Sequence, residues 1–241
     1  MRIILCENYD EMSVKAAKIV ASQLILKPDS TLGLATGSTP VGMYNELAKM
    51  NKAGEIDFSL VTSFNLDEYY PIKKTNDQSY DYFMKENLFS KVNIDLNNTN
   101  IPNGEAEDPD AECKAYDEKI KKNGGIDLQV LGIGQNGHIG FNEPDDCLIE
   151  GTHLTGLTDN TIEANSRFFA SKEDVPTKAL TMGIGTIMQA KTIIILASGK
   201  SKADIVAKLI KGDITTSNPA SMLKVHQNVI LLCDKEAYSE M

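Results

Sequence analysis

The sequence predicts an α/β protein: a three-layer sandwich whose mostly parallel, Rossmann-like sheet carries helices on both faces. Three observations predict it. Short apolar runs of strand character alternate with helical stretches along the whole chain of 241 residues. Twice, such a run passes straight into a turn of small residues that opens a helix, at Thr36–Pro40 and at Ser198–Lys202. Near the middle, the apolar run ending at Ile133 meets a glycine-rich loop, the place where parallel sheets receive ligands.

In chain order, Arg2 to Cys6 reads as the first strand. Asp10 reads as the cap of a helix whose apolar positions Val14, Ala17, Ala21 and Leu24 recur at helical spacing until Pro28 and Asp29 end it. Thr31 to Ala35 is the second strand, and Pro40 suits the first turn of the helix that follows, with Tyr44, Leu47 and Met50 on one side. Between them, Gly37, Ser38 and Thr39 offer backbone N–H groups and hydroxyls to an anion. The bland alternative is that Ser38 or Thr39 only caps the helix. The turn is not a Walker A, since its lysine and spacing are missing.

Leu60 to Leu66 is strand-like and ends in Asp67, Glu68, Tyr69, Tyr70 and Pro71, either a functional carboxylate pair or solvated loop acids. Gln78 to Val92 and Asp108 to Lys122 read as helices, the second with Cys113, Tyr116 and Ile120 along one face and Gly124 and Gly125 as its stop. Asp127 to Ile133 is the central strand, and in the loop after it His138 and Glu143 stand together in the expected cleft. Thr152 to Leu157 follows, then a polar stretch to Pro176. Segment 156–176 has the irregular character of a lid, and Arg167 within it either reaches a bound phosphate or lies on the surface. Ala179 to Ile184 and Thr192 to Ala197 are two more buried strands; Ser198–Lys202 and a helix through Ile210 come next, and Val225 to Cys233 is the last strand. Lys202 sits near a helix N-terminus, unfavourable for a cation unless an anion is shared there.

No linker divides the chain, so residues 1–241 read as a single domain. Its 41% hydrophobic and 24% charged residues are those of an ordinary globular protein, and a net charge of −10 argues against nucleic acid and anionic membranes as partners. Cys6, Cys113, Cys147 and Cys233 form no C-x-x-C pair, and the three histidines are dispersed, so neither a zinc site nor a disulfide framework is expected. The apolar run Met1–Cys6 is too short for a signal peptide, and no aliphatic run approaches the ~20 residues of a membrane span. A reduced, cytoplasmic setting is expected.

Taken together, residues 34–40 (LATGSTP), 64–69 (FNLDEY), 131–144 (LGIGQNGHIGFNEP), 164–169 (ANSRFF) and 198–202 (SGKSK) resemble the glucosamine-6-phosphate deaminase (isomerase) family, in order and over nearly the whole chain. The resemblance implies conversion of glucosamine 6-phosphate and water to fructose 6-phosphate and ammonia, in amino-sugar catabolism, without metal or organic cofactor. By similarity, His138 is the acid/base of ring opening, a task that suits an imidazole near neutral pH. Glu143 holds and polarises it. Asp67 matches the base that takes the proton from carbon 2, and Glu68 beside it has a structural part. Gly37, Ser38, Thr39, Arg167 and Lys202 hold the phosphate, the Arg as a planar fork and the Lys as a point charge.

Two departures from the family pattern stand out. Asn136 occupies a position where many members carry Asp; it is kept as a site residue that can orient the histidine by hydrogen bonding but lends an imidazolium no charge. The stretch Thr152-His153-Leu154-Thr155 lacks the basic residues with which longer, hexameric members bind the activator N-acetylglucosamine 6-phosphate. No such activation is expected, and the chain is a monomer or a homo-oligomer. The nearest rival is a 6-phosphogluconolactonase-like hydrolase, whose chemistry needs no carbon-acid base at Asp67. A non-catalytic sugar-phosphate sensor would need an appendage that is not visible. The G-x-G-x-x-G match at Gly132–Gly137 lacks the helix a dinucleotide site requires.

Overall fold

A computed structural model of the chain describes residues 1–157 and 175–241. Its strands are β1 (Arg2–Cys6), β2 (Thr31–Leu34), β3 (Thr62–Asn65), β4 (Asp67–Tyr70), β5 (Thr99–Asn100), β6 (Leu128–Gly132), β7 (His153–Gly156), β8 (Lys178–Thr181), β9 (Thr192–Ala197) and β10 (Val229–Asp234). Seven of them form one sheet in the order β1-β10-β9-β6-β2-β3-β5, with every neighbouring pair parallel. The helices are α1 (Tyr9–Leu26), α2 (Val41–Lys52), α3 (Tyr80–Asn87), α4 (Pro109–Lys122), α5 (Ile184–Met188) and α6 (Ala203–Lys211).

Successive side chains of a strand point to opposite faces, so a strand buried on both sides is apolar throughout. The run Ile193-Ile194-Ile195-Leu196 obeys this rule. Ile194 and Leu196 join Met12, Val20, Leu47 and Met84 of α1, α2 and α3 on one face. Ile193 and Ile195 join Tyr116, Ile120, Ile187 and Leu209 of α4, α5 and α6 on the other. Burying each such side chain is worth roughly 1.5–3 kcal/mol, which fixes the three-layer arrangement expected from the sequence. Among the described residues no helix is long and apolar enough to cross a membrane.

Local details depart from the sequence reading in four places. The cap of α1 is Asn8, whose side chain accepts the Glu11 N–H at 3.0 Å, while Asp10 lies inside the first turn. The helix expected from Gln78 to Val92 is α3, capped by Ser79, followed by a 3-10 turn at Phe89–Lys91. Val225 ends a 3-10 helix that starts at Pro219, and the last strand begins only at Val229. Most consequential, Asp67–Tyr70 is a strand and not a loop: β4 pairs antiparallel with β8, and β8 with β7, in a separate three-stranded sheet. The Ala179–Ile184 run thus contributes to this small sheet, and Ile184 already starts α5.

At the amino ends of the large sheet's strands, Asp127 ties the fold together. One carboxylate oxygen accepts Lys27 Nζ at 2.6 Å and the Thr31 N–H at 2.8 Å, and the other accepts Lys191 Nζ at 2.8 Å. Burial pushes this carboxyl up, but the donors from Lys191, Lys27 and Thr31 outweigh it and hold it below the ordinary carboxylate range. Its contribution to stability is therefore present at neutral pH and is lost as the pH falls through the lowered folded-state value. Asp127→Ala is expected to lower the unfolding free energy by about 2–3 kcal/mol at pH 7. In urea titrations, the gap between wild type and variant narrows as the pH approaches 2.

Candidate active site

Because the large sheet is parallel, the loops after β9, β6, β2 and β3 leave neighbouring strands at the same edge. Chain connections diverge there, from β2 outward to β3 and from β6 outward to β9, and such a divergence leaves a crevice at the carboxyl ends. In the turn after β2, Gly37 has φ +91°, a conformation that side chains resist. The cap of α2 is Pro40, with no side-chain hydrogen bond, so the reading of Ser38 or Thr39 as that helix's cap fails. Among the described residues the backbone N–H groups of Gly37, Ser38 and Thr39 donate to no protein acceptor. Tyr44 fixes the start of the turn, with its hydroxyl 2.6 Å from the carbonyl of Ala35.

The second small-residue turn converges on the same edge. Asp234, at the end of β10, accepts the Gly199 N–H at 3.0 Å and the Ser198 hydroxyl. From there Lys202 reaches across, and its Nζ donates to the carbonyl of Ile133 at 2.7 Å, beside the end of β6. Burial pushes this ammonium down, and no carboxylate lies within ion-pair reach of it among the described residues. A half-buried cation without a counter-charge suits an incoming anion. Arg167 and nearly all of the 156–176 lid expectation lie outside the described residues.

The loop after β6 is folded back on itself. Gly134 N–H donates to the carbonyl of His138 at 2.9 Å, and a Cβ at Gly134 would lie 2.3–2.5 Å from the imidazole ring. Only a glycine leaves the ring its place. Asn136 Oδ1 accepts the His138 backbone N–H at 3.2 Å, so its Nδ2 faces Glu143 and donates to Oε2 at 2.6 Å. The other carboxylate oxygen of Glu143 stands 3.3 Å from His138 Nδ1. That distance allows charge pairing with an imidazolium, but the ring N–H is not aligned on the oxygen, and among the described residues Nδ1 has no hydrogen-bond partner. Asn136, which can orient a histidine by hydrogen bonding, here directs its side-chain amide to Glu143 and bonds His138 through the backbone N–H.

Asp67 lies on the other side of this loop. It is 6% exposed, and a Cβ on Gly140 would come within 3.4 Å of its Oδ2. Burial, and then the charge of Glu68, raise its carboxyl to about 8. Its carboxylate has no hydrogen-bond partner among the described residues. The solvated-acid reading of the pair therefore fails for both residues. Glu68 is buried as well, and it accepts the N–H groups of Tyr69, Tyr80 and Asp81 at 2.9, 2.8 and 3.0 Å, as an anion would at the start of α3. Burial nonetheless raises its carboxyl to about 7 against those donors.

Two positions that sequence reasoning missed join these parts. Thr181 is the cross-strand partner of Asp67, and its hydroxyl accepts the Phe141 N–H at 3.1 Å. Asn142 Nδ2 donates to the carbonyls of Ile139 and Met182, at 2.9 and 2.8 Å. Asn142 stood inside the 131–144 motif and was open to notice; nothing near Thr181 in sequence marks it. Among the described residues, no group of three or more His, Cys, Asp or Glu side chains is placed to hold a metal ion.

The family model described as glucosamine-6-phosphate isomerases/6-phosphogluconolactonase matches residues 8–232. The chain belongs to this family. Within the isomerase/lactonase family it is 60% identical to a glucosamine-6-phosphate deaminase of Halothermothrix orenii, over 99% of both chains. It is 58% identical to one of Clostridium botulinum strain Kyoto, over 100% of this chain and 99% of the relative. The solved structure of a monomeric glucosamine-6-phosphate deaminase superposes with a TM-score of 0.97 at 44% identity, covering both chains in full. A 6-phosphogluconolactonase of Thermotoga maritima shares the fold, with a TM-score of 0.78 at 20% identity over 97% of this chain and 99% of that one.

Proposed function

We propose that the chain is a glucosamine-6-phosphate deaminase, which isomerises glucosamine 6-phosphate and releases ammonia to leave fructose 6-phosphate. Full-length relatives at 60% and 58% identity that bear this name support the reading. The observation that carries it is the buried Asp67, its carboxyl raised to about 8, set against the loop of His138 and Glu143.

The chemistry follows from the positions. His138 takes the proton of the anomeric hydroxyl and returns it to the ring oxygen, breaking the bond from carbon 1 to that oxygen; Glu143 stabilises the imidazolium formed in between. In the open chain, the aldehyde acidifies the proton on carbon 2. A carboxyl raised by burial is a stronger base than an ordinary one, and the substrate's own ammonium beside it favours its ionised form. Asp67 thus takes the proton from carbon 2 and delivers it to carbon 1, giving an imine at carbon 2. Water adds to that imine, and ammonia leaves. The N–H groups of Gly37, Ser38 and Thr39, with Arg167 and Lys202, hold the phosphate while the rest of the substrate rearranges.

Asn136 keeps Glu143 in place without charge. Asn136→Asp would set two carboxylates about 2.6 Å apart, a spacing at which one must hold a proton. In pH profiles of kcat/KM, this variant is expected to show an additional ionisation above the ordinary carboxylate range and activity altered by roughly tenfold. Unchanged profiles would remove Asn136 from the ring-opening apparatus. We read the chain as one cytoplasmic domain, monomeric like its 44% identical relative. The half-buried strand β7, with His153, Leu154 and Thr155, offers no Lys or Arg for an activator between subunits.

The test is release of ammonia and fructose 6-phosphate from glucosamine 6-phosphate by the purified protein, with 6-phosphogluconolactone hydrolysis run beside it. Ammonia release, hyperbolic in substrate with and without N-acetylglucosamine 6-phosphate, is the expected result. Lactone hydrolysis alone would overturn it, because opening a lactone gives a carbon-acid base nothing to do.

A further inference from the structure

We infer that Tyr9, on the first turn of α1, is a positioning residue for the phosphate-binding turn, an inference that rests on the phosphate reading above. Its hydroxyl donates to the carbonyl of Ser38 at 3.1 Å and accepts the Gly42 N–H at 2.8 Å. One side chain from a helix 29 residues upstream thereby joins the middle of the turn to the first residues of α2. Tyr44 already holds the entrance of the turn at Ala35, with its hydroxyl bonded to both backbone groups of that residue. Two phenols therefore bracket the segment whose N–H groups at Gly37, Ser38 and Thr39 are left without acceptors among the described residues. Within the turn itself one long hydrogen bond, from the Val41 N–H to the Ser38 carbonyl at 3.4 Å, does little to fix its shape, so contacts from outside have to supply the rest.

The two helices come close beside Tyr9. A Cβ on Gly42 would lie 2.3 Å from Ser13 Oγ and 3.0 Å from Tyr9 Cε1, so α1 and α2 touch where the tyrosine crosses. Neither Tyr9 nor Gly42 belongs to the motifs that pointed to the site. With the brace intact, the donors stand in place before the substrate arrives; without it, binding must also order the turn.

The test is Tyr9→Phe, which keeps the ring and removes the hydroxyl. KM for glucosamine 6-phosphate and the inhibition constant of inorganic phosphate should rise together, by about five- to tenfold, the size expected from one net hydrogen bond. The kcat should stay within about twofold, because no reacting atom is touched. Gly42→Ala, which crowds the same contact from the other side, should raise the same two constants and serves if Tyr9→Phe does not fold. Lys202→Ala is the control for the underlying reading. If it weakens phosphate inhibition while Tyr9→Phe and Gly42→Ala do not, the brace is refuted and the phosphate site stands. If none of the three weakens it, the phosphate site itself is misplaced. A loss of thermal stability or kcat in Tyr9→Phe with unchanged phosphate inhibition would mark the tyrosine as structural only and overturn the inference.

Discussion

Asp67→Asn is expected to cut ammonia release from glucosamine 6-phosphate by roughly 10³- to 10⁴-fold while the protein stays folded. The amide has the shape of the carboxyl but accepts no proton from carbon. The same variant should fail to exchange the carbon-1 hydrogen of fructose 6-phosphate with solvent in the presence of ammonium. Exchange at the wild-type rate would take Asp67 out of the mechanism. Stability supplies a second readout, because the carboxyl is raised to about 8 by burial and by Glu68. The folded protein keeps this proton over a pH range in which the unfolded chain has already lost it. Its contribution is therefore most favourable below the ordinary carboxylate range and is lost as the pH rises through about 8. Urea midpoints measured at pH 4 and pH 8.5 should move in the variant's favour at the higher pH. A carboxyl that makes its own fold less stable above neutrality is a cost that a role in proton transfer would account for.

His138→Gln is expected to lower kcat by roughly 10²-fold, a smaller loss, because sugar rings also open unaided in water. The amide of glutamine can hydrogen-bond but cannot carry a proton from one oxygen to another. The step that suffers is ring opening alone. An open-chain amino-alditol 6-phosphate, which cannot close a ring, should therefore bind this variant within about threefold of wild type. Equal losses in turnover and in binding of that analogue would show that His138 holds the substrate and does not open it. Gly134 gives the histidine its room, so the ring should keep its position only while that residue has no side chain.

The large sheet was legible because its strands are buried on both faces, and four aliphatic residues in a row, as from Ile193 to Leu196, fit a strand covered on both sides. The small sheet was not. Asp67-Glu68-Tyr69-Tyr70 has two acids and no alternation of apolar and polar residues, so it reads as a loop; tertiary burial overrides that pattern. The N-terminus of α1 was misplaced because Asn8 and Asp10 are both capping types two positions apart, and only geometry selects between them. Asp67, His138 and Glu143 stood out in the sequence because each lies in a local motif. Thr181 and Tyr9 act across 40 and 29 positions of sequence, onto Phe141 and Ser38, and leave no local mark. Glu68 was expected to have a structural part, and its three N–H partners agree with that.

The antiparallel pairing of Asp67 with Thr181 bears on how such an enzyme can vary over evolutionary time. Asp67 is held by one strand of the small sheet, and the loop of His138 is pinned to the other through the Thr181 hydroxyl and, just past its end, through Asn142 on the carbonyl of Met182. The spacing between Asp67 and that loop thus depends on the register in which β4 pairs with β8. Insertions in the outer helices, or drift in the packing of the large sheet, leave that pairing untouched. A slip of a single residue between β4 and β8 would turn Asp67 to the opposite face. That register therefore carries the geometry of the site as well as the pairing of the small sheet.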